Sequence, residues 1–273
     1  MKKRLFILVA AAAIFLSSCR EPATQVKQSI WTKINNIKAE DKSKENGLEP
    51  IYIKPMGEKQ IALTIKIERL YNKYKKNSDD LGKETDLLNE FKKVLNSPDC
   101  DESVRAYYIK HDCWQLRLEV AKDSRTPVSI LAMGANDSVW SVSNAVGLNL
   151  WQKPADVYIS PSDQERFSNC NNWLTQEGLL MKNKTDFRYF VKLCNVCRFE
   201  ELIAERIKNE KSIAPEHQWV LAKCQSDLNR GAMAGRLNAD TAVVRFLLND
   251  EVNYVKNNAK NTLDYQNSIK LVK

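Results

Sequence analysis

This sequence predicts a mainly helical, disulfide-stapled domain on a membrane tether. Apolar residues recur three and four apart through most of the chain, and glycine and proline are scarce, at 8 each in 273 residues. Polar turn residues separate the periodic stretches. The many closely spaced turns of an all-β sandwich would need more glycine and proline than this. Two segments also alternate as strands do, so an α+β arrangement with a small sheet is the alternative.

The first element is an export signal. Met1-Lys2-Lys3-Arg4 is basic, Leu5 to Leu16 is an apolar run, and Ser17-Ser18-Cys19 closes it with small residues. The run falls short of the roughly 20 apolar residues that span a bilayer as a stable helix. Leu16-Ser17-Ser18-Cys19 resembles the lipobox of bacterial lipoproteins, a resemblance confined to the start of the chain. It implies cleavage before Cys19 and lipid attached to that cysteine, with enough alkyl chain for stable anchoring. The residue after Cys19 is Arg20, whereas the inner-membrane retention signal of enteric lipoproteins has aspartate there. The expectation is therefore an outer-membrane lipoprotein facing the periplasm.

Residues 1–18 are thus read as signal peptide, 19–57 as tether and 58–273 as one helical domain. Removing Lys2, Lys3 and Arg4 lowers the formal net charge from +8 to +5. The remaining basic residues are interleaved with acids, which excludes a nucleic-acid-binding block and suits a solvated surface, anionic head groups or an acidic protein. The tether is polar, with an Asn46-Gly47 turn and Pro50 and Pro55 near its end. Within it Ile30, Trp31, Ile34 and Ile37 fall at helical spacing, as in a short amphipathic helix lying on lipid or docked on the body.

In the body, Leu63, Ile67, Leu70, Tyr71 and Tyr74 form one face of a helix over 58–76, although Ile61, Leu63, Ile65 and Ile67 also alternate. A second helix covers 85–96, with Leu87, Leu88, Phe91, Val94 and Leu95 on its face. Ser97-Pro98 offers an N-cap and first-turn proline for a helix over 99–122, within which Trp114, Leu116, Leu118 and Val120 alternate. The stretch 123–161 is irregular, with Trp140 and Trp151 as expected core anchors. Ser162-Asp163-Gln164-Glu165 matches a capping box that starts a helix to about Met181. A second helix is predicted over 186–208, burying Phe187, Phe190, Cys194, Cys197 and Ile203. A third opens at Pro215 with Trp219, Val220 and Cys224, and one or two more cover 241–272 with Val244, Leu247, Val255 and Leu263. No repeat of fixed period is visible.

Besides Cys19, the cysteines are Cys100, Cys113, Cys170, Cys194, Cys197 and Cys224. An even number behind an export signal predicts disulfides. Antiparallel helices bring together residues equally far from the turn between them. The midpoint of Cys170 and Cys197 falls in the Lys182 to Thr185 turn, and that of Cys194 and Cys224 at Asn209. Cys170 with Cys194 and Cys197 with Cys224 fits almost as well. Cys100 and Cys113 then remain, but a continuous helix would hold them about 20 Å apart, beyond disulfide reach. Either that helix breaks or Cys100 folds back from a loop. The rivals are a thioredoxin-type redox pair at Cys194-Asn195-Val196-Cys197 and a zinc site from Cys194, Cys197, Cys224 and His217.

Other chemistry is thinly signalled. His111 and His217 are the only histidines, and phosphate-loop, zinc-protease and nucleophile-elbow motifs are not found. The pairs Asp79-Asp80, Glu200-Glu201 and Asp250-Glu251 suit solvated helix charges better than a glycosidase acid and base. No cofactor is implied, and no catalytic residue stands out. The expected function is protein binding in the cell envelope, as an inhibitor, immunity or exclusion factor or secretion scaffold. The expected partners are the membrane, through Cys19, and an envelope protein. The alternative is a lipid-anchored cell-wall enzyme.

Overall fold

A computed structural model of the chain describes residues 51–76 and 81–272. Cys19, the signal and most of the tether, including its Ile30 to Ile37 stripe, lie outside the described residues, as does Asp79-Asp80. Among the described residues the regular elements are helices, so both alternating segments fold as helix. Packing divides the chain at Gly134 into two compact units, where the sequence suggested one body.

The first unit contains α1 (Glu58–Lys75), α2 (Leu81–Leu95), α3 (Glu102–Ile109), α4 (Trp114–Lys122) and α5 (Val128–Gly134). α1 packs on α2 and α3, and α3 on α4 and α5. Their apolar stripes meet in a core of Ile67, Leu87, Phe91, Val104, Tyr108, Leu116 and Val120. Tyr108 packs edge-on to Phe91 at 4.6 Å between ring centroids, and its hydroxyl donates to Thr64 O at 3.2 Å. Ile53 and Met56, from the end of the segment read as tether, are buried, and the Thr64 hydroxyl donates to Met56 Sδ.

The predicted helix over 99–122 is two helices. Asp101, rather than Ser97, caps α3 by accepting from the backbone of Ser103 and Val104, and the Ser97 hydroxyl instead accepts from Asp99 N in the preceding turn. Arg105 is buried against Asp123 at 2.9 Å and also donates to Leu95 O and to Cys100 Sγ.

The second unit is a two-layer array. It runs α6 (Trp140–Gln152), α7 (Pro161–Ser168), α8 (Trp173–Leu180), α9 (Phe187–Lys192), a 3-10 turn at Cys197–Phe199, α10 (Glu200–Asn209), α11 (Pro215–Ala222), α12 (Asp227–Ala234), α13 (Thr241–Leu247) and α14 (Asn253–Val272). In one layer α7, α9, α11 and α13 pack each on the next. In the other, α6 packs on α8, and α12 lies between α10 and α14.

Helical hairpins α7/α8, α9/α10, α11/α12 and α13/α14 therefore succeed one another, and a polar framework repeats with every second one. Gln164 donates to Ile159 O at 2.9 Å and accepts from Asp186 N at 2.9 Å. Gln218 does the same with Ile213 O at 2.8 Å and Asp240 N at 2.7 Å. Each of these residues lies 54 positions from its counterpart. Pro161 and Pro215 match as first helical residues, and Asn172 and Ser226 as N-caps. Lys182, donating to Lys153 O at 2.6 Å, matches Arg236, donating to Ile207 O. These cations neutralise carbonyls where α6 and α10 end. The structure thus contains the repeat that the sequence did not reveal. Four of the seven matched pairs are identical, at Ile159/Ile213, Pro161/Pro215, Gln164/Gln218 and Asp186/Asp240, but they are scattered over the repeat and mostly polar, so apolar periodicity does not carry the signal.

Other expectations change for local reasons. The helix predicted from Ser162 to Met181 breaks at Asn172, which caps α8 through Thr175 N. Its cap is Ser160, not Ser162: Ser160 Oγ accepts from Asp163 N and donates to Asp163 Oδ2 at 2.8 Å, with Pro161 as first helical residue. The helix predicted over 186–208 stops at Lys192, so Cys194 and Cys197 lie in the following turn and share no helix face. Cys197 and Val220, expected in the core, are exposed, and Phe187 is half-buried. The irregular stretch 123–161 holds α5 and α6. Trp140 and Trp151 are not core anchors but are 69% and 49% exposed. Val142, Val146 and Leu150 form the buried stripe of α6, and the two tryptophans fall on its other side at 100° per residue. α6 and α8 meet at Gly147, where a Cβ would lie 2.7 Å from Thr175 N and 2.8 Å from Leu174 C. Glycine there permits the close approach.

Candidate functional site

Two places in the second unit gather chemistry: the junction between successive hairpins, and the exposed side of α6. At the junction, the two helices of each of the first three hairpins are joined by a turn that carries a cysteine: Cys170 for α7/α8, Cys194 for α9/α10 and Cys224 for α11/α12. All three are buried thiols. Cys170 donates to the carbonyls of Phe167 at 3.0 Å and Asn172 at 3.4 Å, and burial raises its pKa.

Cys194 and Cys224 meet. Their mutual influence raises Cys224, further raised by burial, and lowers Cys194, while Cys224 Sγ donates to Ser226 O at 3.4 Å. The surrounding backbone is tied across the same gap. Gln225 N donates to Asn195 Oδ1 at 2.8 Å, and Asn229 Nδ2 donates to Cys194 O at 3.0 Å. On the Cys224 side, Arg230 donates to the carbonyls of Cys224 at 3.0 Å and Gln225 at 2.9 Å. Its other nitrogens grip both oxygens of Asp250, at 2.7 and 3.2 Å. Beside Cys224 and Arg230 lies an open recess of about 780 Å³, which Lys223, Phe246 and Asp250 also line. Cys197 is exposed, and the adjoining Glu200 carboxylate raises its pKa, the opposite of what a nucleophilic thiolate needs.

In the first unit, Arg105 Nη1 lies 3.2 Å from Cys100 Sγ. Cys113 donates to Gln115 Oε1 at 3.1 Å. The helix does break between these two cysteines, and each keeps a partner other than cysteine.

His111 is buried in that unit. Cys113 N donates to its Nδ1 at 3.0 Å, placing the ring proton on Nε2, which faces Glu68 Oε1 at 3.0 Å. Tyr71, Tyr107 and Tyr108 pack around the ring. Burial and then the Glu68 charge push the Tyr107 hydroxyl well up. The pair is a core contact enclosed by aromatic rings. Sequence had no way to bring Glu68, 43 positions earlier, to His111. His217 is half-buried, with its ring centroid 6.3 Å from that of Phe187. Among the described residues no three His, Cys, Asp or Glu side chains gather as metal ligands. Of the carboxylate pairs, Asp250 is held by Arg230 and Glu251 approaches the same guanidinium at 3.7 Å.

The side of α6 that carries Trp140, Leu148 and Trp151 is exposed, and Tyr158 follows it in the loop at 69% exposure. Trp173, which opens α8, is 40% exposed and carries Arg198 stacked on its ring at 3.8 Å. Large aromatics and arginine on solvated surface are the residue types that anchor protein interfaces. No helix among the described residues is long and apolar enough to cross a membrane. No protein-family model matches the chain, and comparison with curated proteins and with solved structures found no match.

Proposed function

We propose that the chain is an exported lipoprotein, anchored through lipid on Cys19, whose disulfide-stapled helical body binds a partner protein in the cell envelope. The observation that carries the binding role is the exposed aromatic side of α6, on which Trp140 and Trp151 lie three turns apart with Leu148 between them. A stacked array of short helical hairpins offers such side chains a stiff, extended surface, so little ordering cost is added on association. The anchor rests on the Leu16 to Cys19 motif, and the partner is identified only as an envelope protein. Inhibition, immunity, exclusion and secretion scaffolding all fit this chemistry.

A photo-crosslinking amino acid placed at Leu148 in the intact protein, in its native membrane, tests the reading. A discrete adduct that is lost in the Trp140→Ser/Trp151→Ser double variant, at unchanged folded stability, supports it. An adduct indifferent to both tryptophans refutes the surface. Mature protein with unmodified Cys19, or equal recovery of the Cys19→Ala variant in the membrane fraction, refutes the anchor.

A further inference from the structure

We infer that the staple is one specific bond: Cys194 and Cys224 are the oxidisable pair of this protein, and Cys100, Cys113, Cys170 and Cys197 remain thiols. Three observations converge. The two thiols are near enough to influence each other, and Cys224 Sγ also donates to Ser226 O at 3.4 Å, a bond it would give up on oxidation; Cys170 bonds to carbonyls of its own turn, Cys113 to Gln115 and Cys100 to Arg105. The turns that carry the pair are already joined through Asn195 with Gln225 and through Asn229 with the Cys194 carbonyl, so the bond would close a gap that the backbone already bridges. Both residues occupy the same place in successive hairpins, so the bond would link α9/α10 to α11/α12 and not merely close one hairpin.

Oxidation removes two protons and two electrons from the two thiols. A disulfide-carrying oxidant receives them and leaves as two thiols. The first step is attack by a Cys194 thiolate on the oxidant, which expels one thiol; the Cys224 sulfur then attacks Cys194 in the mixed disulfide and expels the second. The supply of oxidant in the cell rests on the exported reading. The pairing itself does not.

The test uses the purified full chain, reduced and then exposed to oxidised glutathione, followed by alkylation and non-reducing tryptic mass spectrometry. The expected product joins Leu193–Arg198 to Cys224–Arg230, persists in Cys197→Ser and disappears in Cys194→Ser. A link through Cys197 or Cys170, or six thiols that all remain open to alkylation after denaturation, overturns the pairing. If the link forms in the tube yet is missing from protein taken directly from its native cells, the pairing stands and the exported reading fails.

Discussion

Replacing Gln218 with alanine should unlatch two successive hairpins. Gln218 is 7% exposed and makes two short bonds, to Ile213 O at 2.8 Å and from Asp240 N at 2.7 Å. Truncation leaves the buried Ile213 carbonyl without its partner, at about 1 to 3 kcal/mol, and releases the amide of the exposed Asp240 to water. The expected loss is therefore about 2 kcal/mol, or about 7 °C in the melting of a unit of this size. Urea titration and thermal melts of the full chain, followed by circular dichroism, would measure it. Gln164→Ala is the companion, because Gln164 makes the same pair of bonds to Ile159 and Asp186. The two sites share no partner, so their effects should add within about 0.5 kcal/mol. A loss below about 0.5 kcal/mol at either glutamine would show that the framework is not what ties the hairpins together. A large loss at one and none at the other would refute their equivalence.

Gly147→Ala should destabilise by about 2 kcal/mol, the range for overpacking, because the new Cβ meets backbone of α8 at 2.7 and 2.8 Å. Gly178→Ala, whose nearest contacts are at 3.2 Å, should cost less; equal urea midpoints for the two variants would refute the close crossing. Asp250 governs an acid transition: burial alone would raise its carboxyl, but the Arg230 guanidinium and the Val252 N–H outweigh burial and hold it below the usual range. A depressed carboxylate contributes stability that is full above the unfolded pKa of about 3.9 and is lost as pH falls through the lower folded value. Asp250→Asn should therefore be less stable than the parent at neutral pH and lose less on acidification below about pH 5; parallel urea midpoints across that range would contradict this. Trp140→Ser, at an exposed position, should change stability by no more than about 0.5 kcal/mol, and a larger drop in the melting temperature would place that ring in the core after all.

Local sequence signals were legible where one helix stands between unambiguous turns. The helices predicted over 58–76 and 85–96 fold as Glu58–Lys75 and Leu81–Leu95, with Ile67, Leu87 and Phe91 buried as their spacing indicates. Longer predicted helices failed at short interruptions: the one over 99–122 between Ile109 and Trp114, the one from Ser162 at Asn172 and the one over 186–208 after Lys192. Asn172 turns a side-chain oxygen back onto the Thr175 amide and starts a new helix, while the apolar period runs on past it. Among site residues, the spacing rule included Cys194 with Cys224 as one of two alternatives, and the structure holds both as thiols on turns that are hydrogen-bonded to each other. It could not show that Cys170 is satisfied within its own turn, because that depends on where one thiol points.

What the sequence by itself determined is the helical class, since 3.6-residue periodicity and scarce glycine and proline act locally and need no knowledge of neighbours. Only the tertiary structure decided which helices pair into hairpins, that Trp140 and Trp151 face outward, that Glu68 meets His111, and that a framework of glutamines and cations recurs every second hairpin. The physical reason is that a buried polar group is defined by the partner that satisfies it. Those partners, Asp240 N for Gln218 and Ile207 O for Arg236, are backbone atoms that every sequence supplies at every position.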